Sequence, residues 1–246
     1  MKLTTLGGSG AWPTADRACS GYLVELEGFR VLIDPGYGTM PLVDVETLDA
    51  VLVTHGHPDH CADLNPLLRA RVWGDTACPP LPVYAPPGAL DAVLALDRPG
   101  AFTSGLVLHS MAPREPYRIG PFDLETWLLP HHRPNLGLRL SGGGKVLAYT
   151  GDTGPAPELW ELARDADIYL AEATFPVEVP EENAGYLSSA RQAGRDAARA
   201  GVGSLLLTHL QPGVSEEESI AAAAEGFDGP VAGGGAGRPA PPPRGK

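Results

Sequence analysis

The chain has little cysteine, no long apolar run and no block of positive charge. Three cysteines in 246 residues, an odd number without paired spacing, argue against a disulfide scaffold. No apolar stretch approaches the about 20 residues that a helix needs to cross a bilayer, so no membrane partner is expected. No charged leader running into an apolar core opens the sequence, and the expected location is the cytoplasm. The 18 Lys and Arg form no run or stripe and are outnumbered by 30 Asp and Glu, for a net charge of -12. Such a surface repels a nucleic-acid backbone at long range, which argues against large RNA as a partner. A small anionic substrate confined to one cleft stays compatible, as does a homodimer.

What is present is a globular composition, 43% hydrophobic, arranged as strands alternating with helices. Strands are expected at Leu3–Leu6, within Gly21–Asp34, and at Leu48–Thr54, Leu81–Ala85 and Leu106–Met111. A second series follows at Tyr117–Ile119, Phe122–Leu129, Leu136–Leu140, Val146–Thr150, Ile168–Glu172 and Ser204–Thr208. Helices are expected at Asp63–Arg71, Ala89–Leu96, Pro157–Arg164, Ser188–Ala200 and from Ser215, whose S-E-E-E run is a capping signature. This alternation implies an α/β layered fold. The expected organisation is one domain over 1–232 and a Gly/Pro-rich tail over 233–246, disordered by composition.

The most informative stretch is Val51–Asp63, VLVTHGHPDHCAD. An apolar run delivers His55, His57, Asp59 and His60 into one turn. Imidazoles suit zinc, iron and related ions, and a carboxylate adds charge to hold a second cation. Three more apolar runs end on candidate ligands: TWLLPHH on His131 and His132, KVLAYTGDTG on Asp152, and SLLLTHLQP on His209. Strand ends of this kind gather ligand sites in α/β folds. Cys61 reads as a small packing residue rather than a ligand.

With these motifs the chain resembles the metallo-β-lactamase-fold hydrolases, closest to the RNase Z-like and phosphodiesterase-type branch. The matching stretches are GGSGAWPTADRACSGYLVE, VLIDPGYG, VTHGHPDHCADL, HHRPNLGLRL, LAYTGDTG, YLAEATF and LLLTHLQP. The resemblance implies a four-layer αββα sandwich with two divalent ions at one edge of the sheets, zinc first, with manganese or iron as alternatives. It implies His55, His57 and His131 on the first ion, Asp59, His60 and His209 on the second, and Asp152 bridging. His131 is preferred to His132 because it stands six residues before Gly137, as the branch's ligand does. Alternation of neighbouring strand residues would also let only one of the two face the metals.

The implied activity is hydrolysis by hydroxide that the two ions generate from water, with Asp59 and Asp152 orienting it and taking its proton. A small phosphodiester or related ester is the expected substrate. Thioester hydrolysis and mono-iron sulfur dioxygenation are the alternatives within the fold. A noncatalytic metal-stabilised binding protein ranks below them, since every ligand position is filled. Antibiotic-degrading members commonly carry Cys where this chain has Asp152, which disfavours lactams. The chain also departs from RNase Z, with Ala171 before Glu172-Ala173-Thr174 and Tyr186 in GYLSSA, both at positions of imidazoles in that family. Transfer-RNA processing is therefore disfavoured. Trp12, in the GGSGAWPTA loop, His132 and Tyr186 are candidates to touch substrate. Asp34 and Glu172 are expected to support the ligands rather than bind metal.

Overall fold

The segment Val31–Leu32–Ile33 shows how the layers arise. Val31 and Ile33 pack into a core between two sheets, and Leu32 packs the other way, against helices. A strand buried on both faces reads in sequence as a continuous apolar run. The computed structural model describes residues 1–235.

The first sheet comprises β1 (Lys2–Ser9), β2 (Ala18–Cys19), β3 (Gly21–Leu26), β4 (Phe29–Ile33), β5 (Ala50–Leu52), β6 (Leu81–Ala85) and β7 (Leu106–Ser110), in the order β2-β1-β3-β4-β5-β6-β7. The second comprises β8 (Tyr117–Ile119), β9 (Phe122–Leu129), β10 (Asn135–Gly142), β11 (Lys145–Tyr149), β12 (Ile168–Glu172), β13 (Leu205–Thr208) and β14 (Val231–Gly233), in the order β14-β13-β12-β11-β10-β9-β8. The helices are α1 (Pro58–Cys61), α2 (Leu64–Trp73), α3 (Asp91–Leu94), α4 (Glu158–Ala163), α5 (Ala190–Ala200) and α6 (Glu216–Ala224).

Three apolar clusters separate the layers. Tyr22, Leu52, Phe122, Leu138, Tyr149 and Leu206 fill the space between the sheets. Leu64, Leu67 and Leu68 of α2 cover the outer face of the first sheet. Leu159 and Leu162 of α4, Ala193 and Ala197 of α5, and Ala222 and Ala223 of α6 cover the second. The result is the four-layer αββα sandwich. Ser189 and Ser215 cap α5 and α6 by accepting from the amides of Gln192 and Glu218.

Strand direction sets the site. β4 to β7 run parallel, as do β11 to β14. β9 and β11 are each antiparallel to β10 and so point the same way. The loops leaving β4, β5, β9, β11, β12 and β13 therefore meet at one edge of the sandwich.

Several boundaries differ from expectation. The strand expected over Leu48–Thr54 pairs only at Ala50–Leu52. The helix expected over Ala89–Leu96 is confined to Asp91–Leu94, and the Ala89 backbone instead packs closely on the turn at Gly56. The first residues of the tail expected from 233 are held by the fold. Gly233 pairs with Leu207 in β14, and the Gly235 carbonyl accepts from Thr5 Oγ1 at 2.7 Å. The remainder of that expected tail, 236–246, lies outside the described residues.

Candidate metal centre

The turn after β5 passes straight into α1, with His57 as its N-cap and Pro58 in the first turn, where a missing amide costs nothing. This puts His55, His57, Asp59 and His60 on one small surface. The loops after β9, β11 and β13 bring His131, Asp152 and His209 to it from the other sheet. The side chains form two groups, His55–His57–His131–Asp152 and Asp59–His60–Asp152–His209, each with ligand atoms within 4.8 Å of one another.

Distances inside the groups suit a cation. His57 Nδ1 lies 3.1 Å from His55 Nε2 and 3.0 Å from His131 Nε2. Nitrogens about 2.0–2.1 Å from a tetrahedral ion sit roughly 3.3 Å apart. Asp152 Oδ1 faces His60 Nε2 at 3.1 Å, and its Oδ2 faces His209 at 3.2 Å and His131 at 3.6 Å. Asp59 Oδ2 lies 3.2 Å from His209 Nε2. His60 Nε2 and Asp152 Oδ1 are buried without a properly aligned hydrogen-bond partner. Buried polar atoms left open in this way need an explanation, and the donor set fits a pair of divalent ions.

The surrounding hydrogen bonds assign the imidazole tautomers. His60 Nδ1 donates to Asp34 Oδ2 at 2.8 Å. Thr54 Oγ1 gives its own proton to Asp34 and therefore accepts from His55 Nδ1 at 3.1 Å. His131 Nδ1 donates to the Tyr186 carbonyl at 2.9 Å. Thr174 Oγ1 donates to Glu172 and so accepts from His209 Nδ1 at 2.9 Å. All four rings are thus anchored through Nδ1 and present Nε2 to the centre. Asp34 also accepts from the Thr54 amide and the Tyr149 hydroxyl.

Electrostatics split the two groups. Burial is the largest influence on His55, His57 and His131 and holds all three below the ordinary imidazole value, His57 at about 4. They are neutral, as ligands must be. Burial also pushes His60 and His209 down, but the Asp152 and Asp59 carboxylates outweigh it and the net direction is up. Burial alone would raise Asp59 and Asp152; the neighbouring imidazoles reverse this and leave both carboxyls below the ordinary range. Burial raises the Cys61 thiol to about 12, and Cys61 belongs to neither group.

The other sequence candidates fall around this core. Asp34 and Glu172 are buried behind His60 and His209. His132 belongs to neither group and is exposed, with its ring stacked on Tyr186 at 4.2 Å. His131 and His132 lie in a bend beyond β9, so strand alternation does not separate them; the carbonyl of Tyr186 does, by anchoring His131. Tyr186 thus meets the centre through its backbone. Trp12 is 51% exposed in the turn after β1.

That turn holds a contact that sequence reasoning missed. The Ala11 amide donates to Asp59 Oδ2 at 2.8 Å, from a left-handed backbone at φ 63°. Its neighbour Gly10 lies flat on His209, where a Cβ would come within 2.8 Å of the carbonyl and 2.9 Å of the ring. His209 itself has φ 57°, a conformation unusual for a non-glycine residue. A main-chain donor carries no residue-type signal. The glycines of GGSGA were the available hint.

Comparison with known proteins agrees with this geometry. A family model described as a beta-lactamase superfamily domain matches residues 29–210. YhfI of Bacillus subtilis, named a probable metallo-hydrolase, is 32% identical over 217 residues, covering 85% of this chain and 87% of YhfI. Its crystal structure superposes with a TM-score of 0.87 at 28% identity, over 97% of this chain and 98% of that one. A ribonuclease Z of Mycolicibacterium gilvum is 32% identical over 271 residues, covering 93% of this chain and 91% of the enzyme. A diphosphatase of the PhnP family shares the fold, with a TM-score of 0.75 at 19% identity over 98% of this chain and 97% of that one.

Proposed function

This chain belongs to the beta-lactamase superfamily, and from that premise we propose that it is a metal-dependent hydrolase of small phosphodiesters with two divalent ions, zinc first. The observation that carries the reading is Asp152, a carboxylate shared by both ligand groups. A carboxylate spans two hard or borderline cations through its two oxygens, whereas a thiolate favours one soft ion. The PhnP-family diphosphatase lends fold-level support to phosphoryl chemistry.

In this reading His55, His57 and His131 would hold one ion, Asp59, His60 and His209 the other, with Asp152 available to both. Bound there, the ions supply Lewis acidity and water of lowered pKa. The protein contributes orientation. Asp34, Thr54, Thr174 and the Tyr186 carbonyl lock the rings before substrate arrives. Asp59, steadied by the Ala11 amide, and Asp152 orient the attacking water and take its proton. With Ala171 and Tyr186 at the two positions where RNase Z carries imidazoles, leaving-group protonation is weak, and substrates with good leaving groups are favoured. The acidic surface disfavours precursor transfer RNA.

The test is elemental analysis of protein purified without chelator, joined to a panel of chromogenic phosphodiester, thioester and β-lactam. We expect about two divalent ions per chain and phosphodiester turnover that chelation stops and zinc restores. Full activity without transition metal, or thioester turnover with none on the phosphodiester, overturns the proposal.

A further inference from the structure

We propose that Arg133 and the hollow it lines form a subsite for a second phosphate on the substrate, carried on the arm that is not cleaved. This rests on the phosphodiester reading and specifies what the diester carries.

Arg133 follows His131 by two residues and is exposed. Among the described residues it has neither a hydrogen bond nor an ion pair. Arg17, Arg30, Arg69, Arg114 and Arg118 are each paired with a carboxylate, and of the arginines without such a pair Arg133 is the one that lines a hollow with Gly56 of the ligand turn. In a chain of net charge -12, leaving a guanidinium unpaired next to a ligand turn calls for a reason. Its charge is felt at Cys61, the residue after His60.

The surroundings match an anion. Arg133 and Pro134 line a hollow of about 130 Å³ with Gly56 and the Pro86–Ala89 loop. Gly56 sits between His55 and His57, so this hollow adjoins the candidate centre. A Cβ at Gly56 would come within 2.4 Å of the Ala89 carbonyl, which is why the loop can close directly on the ligand turn. No carboxylate lines the hollow, and Arg133 is the one charged residue that does. At about 30 Å³ per water, the space takes a few waters or one phosphate-sized group. A guanidinium presents a planar fork matched to phosphate oxygens. Arg133 also borders the groove of about 660 Å³ that includes His131 and His132. It therefore stands where the uncleaved arm of a diester held by His131 would leave the centre.

The experiment uses the metal-loaded protein and two p-nitrophenyl phosphodiesters that differ only in the second arm, one ending in phosphate and one in hydroxyl. We expect the phosphate-tailed ester to be preferred by about tenfold in kcat/KM, mostly through KM, the scale of one charge-assisted contact at an exposed site. Arg133→Gln should bring the ratio of the two esters close to one. Lys145→Gln removes the same charge at the start of β11, the end of the strand opposite Asp152, and should keep the preference. An absent preference in the unaltered protein, or a preference that survives Arg133→Gln, overturns the subsite. If neither ester is cleaved, the phosphodiester reading fails on its own. Calorimetric titration with pyrophosphate then decides the subsite: binding about tenfold weaker in Arg133→Gln supports it, and equal affinities overturn it.

Discussion

Glu172→Gln should change how the metal-free protein responds to pH. Glu172 is buried at the end of β12, and its Oε2 has no hydrogen-bond partner. Burial is the main influence and lifts the carboxyl from 4.5 to about 7; His209 opposes the rise and the Asp152 charge adds to it. The unfolded chain loses this proton near 4.5, while the folded chain keeps it to about 7. Across that window the folded state binds more protons, so stability falls as pH rises and the full penalty is present above about 7. A displacement of this size corresponds to about 3 kcal/mol. Glutamine keeps an acceptor for the Thr174 amide and removes the charge. Urea unfolding in chelator at pH 5, 6, 7 and 8 should therefore show a stability decline in the unaltered protein that Glu172→Gln flattens. Any cost of burying the new amide is the same at each pH, so the slope is decisive and the offset is not. Parallel profiles would refute the account of Glu172 as a carboxyl kept protonated by burial.

Two further substitutions probe the centre directly. His131→Ala should lose metal and turnover, with kcat/KM down by on the order of a hundredfold or more, because removing a ligand opens a first-ion set of three imidazoles and one carboxylate; His132→Ala should keep its metal content, and elemental analysis showing equal losses in the two would sink the assignment. Gly10→Ala drives a Cβ against His209, and we expect bound metal to fall from about two ions toward one, with unchanged content in the variant counting against the Gly10 contact.

Much of this was legible in the sequence because it depends on residue type and short-range pattern. Phe122–Leu129 and Ile168–Glu172 are strands over the expected bounds, since their apolar residues state both faces. The H-x-H-x-D-H turn announced itself by chemistry. What was hidden depends on partners distant in the chain. β2 is two residues long and exists only by pairing with β1. β14 lies in a glycine-rich stretch whose strand character comes from β13. Strand alternation cannot choose between His131 and His132; a carbonyl 55 residues away at Tyr186 does. The Ala11 amide is invisible to any reading of side chains. Arg133 carries no signal in the sequence, because an arginine in a loop is ordinary until its surroundings are seen.

Each half of the chain builds one sheet, β1 to β7 from residues up to 110 and β8 to β14 from 117 onward. The ligand groups do not respect that division: His55, His57, Asp59 and His60 come from the first half, and His131, Asp152 and His209 from the second. Ions held as proposed would act as staples across the seam, and neither half could complete a set alone. A nascent chain would display the His55–His60 turn long before His209 emerges, and any ion caught early would be held by only part of its ligands. Chelation, by the same reasoning, would loosen the join between the sheets before it disturbed either sheet. A chain severed in the linker between β7 and β8 would yield two pieces whose reassociation depends on metal.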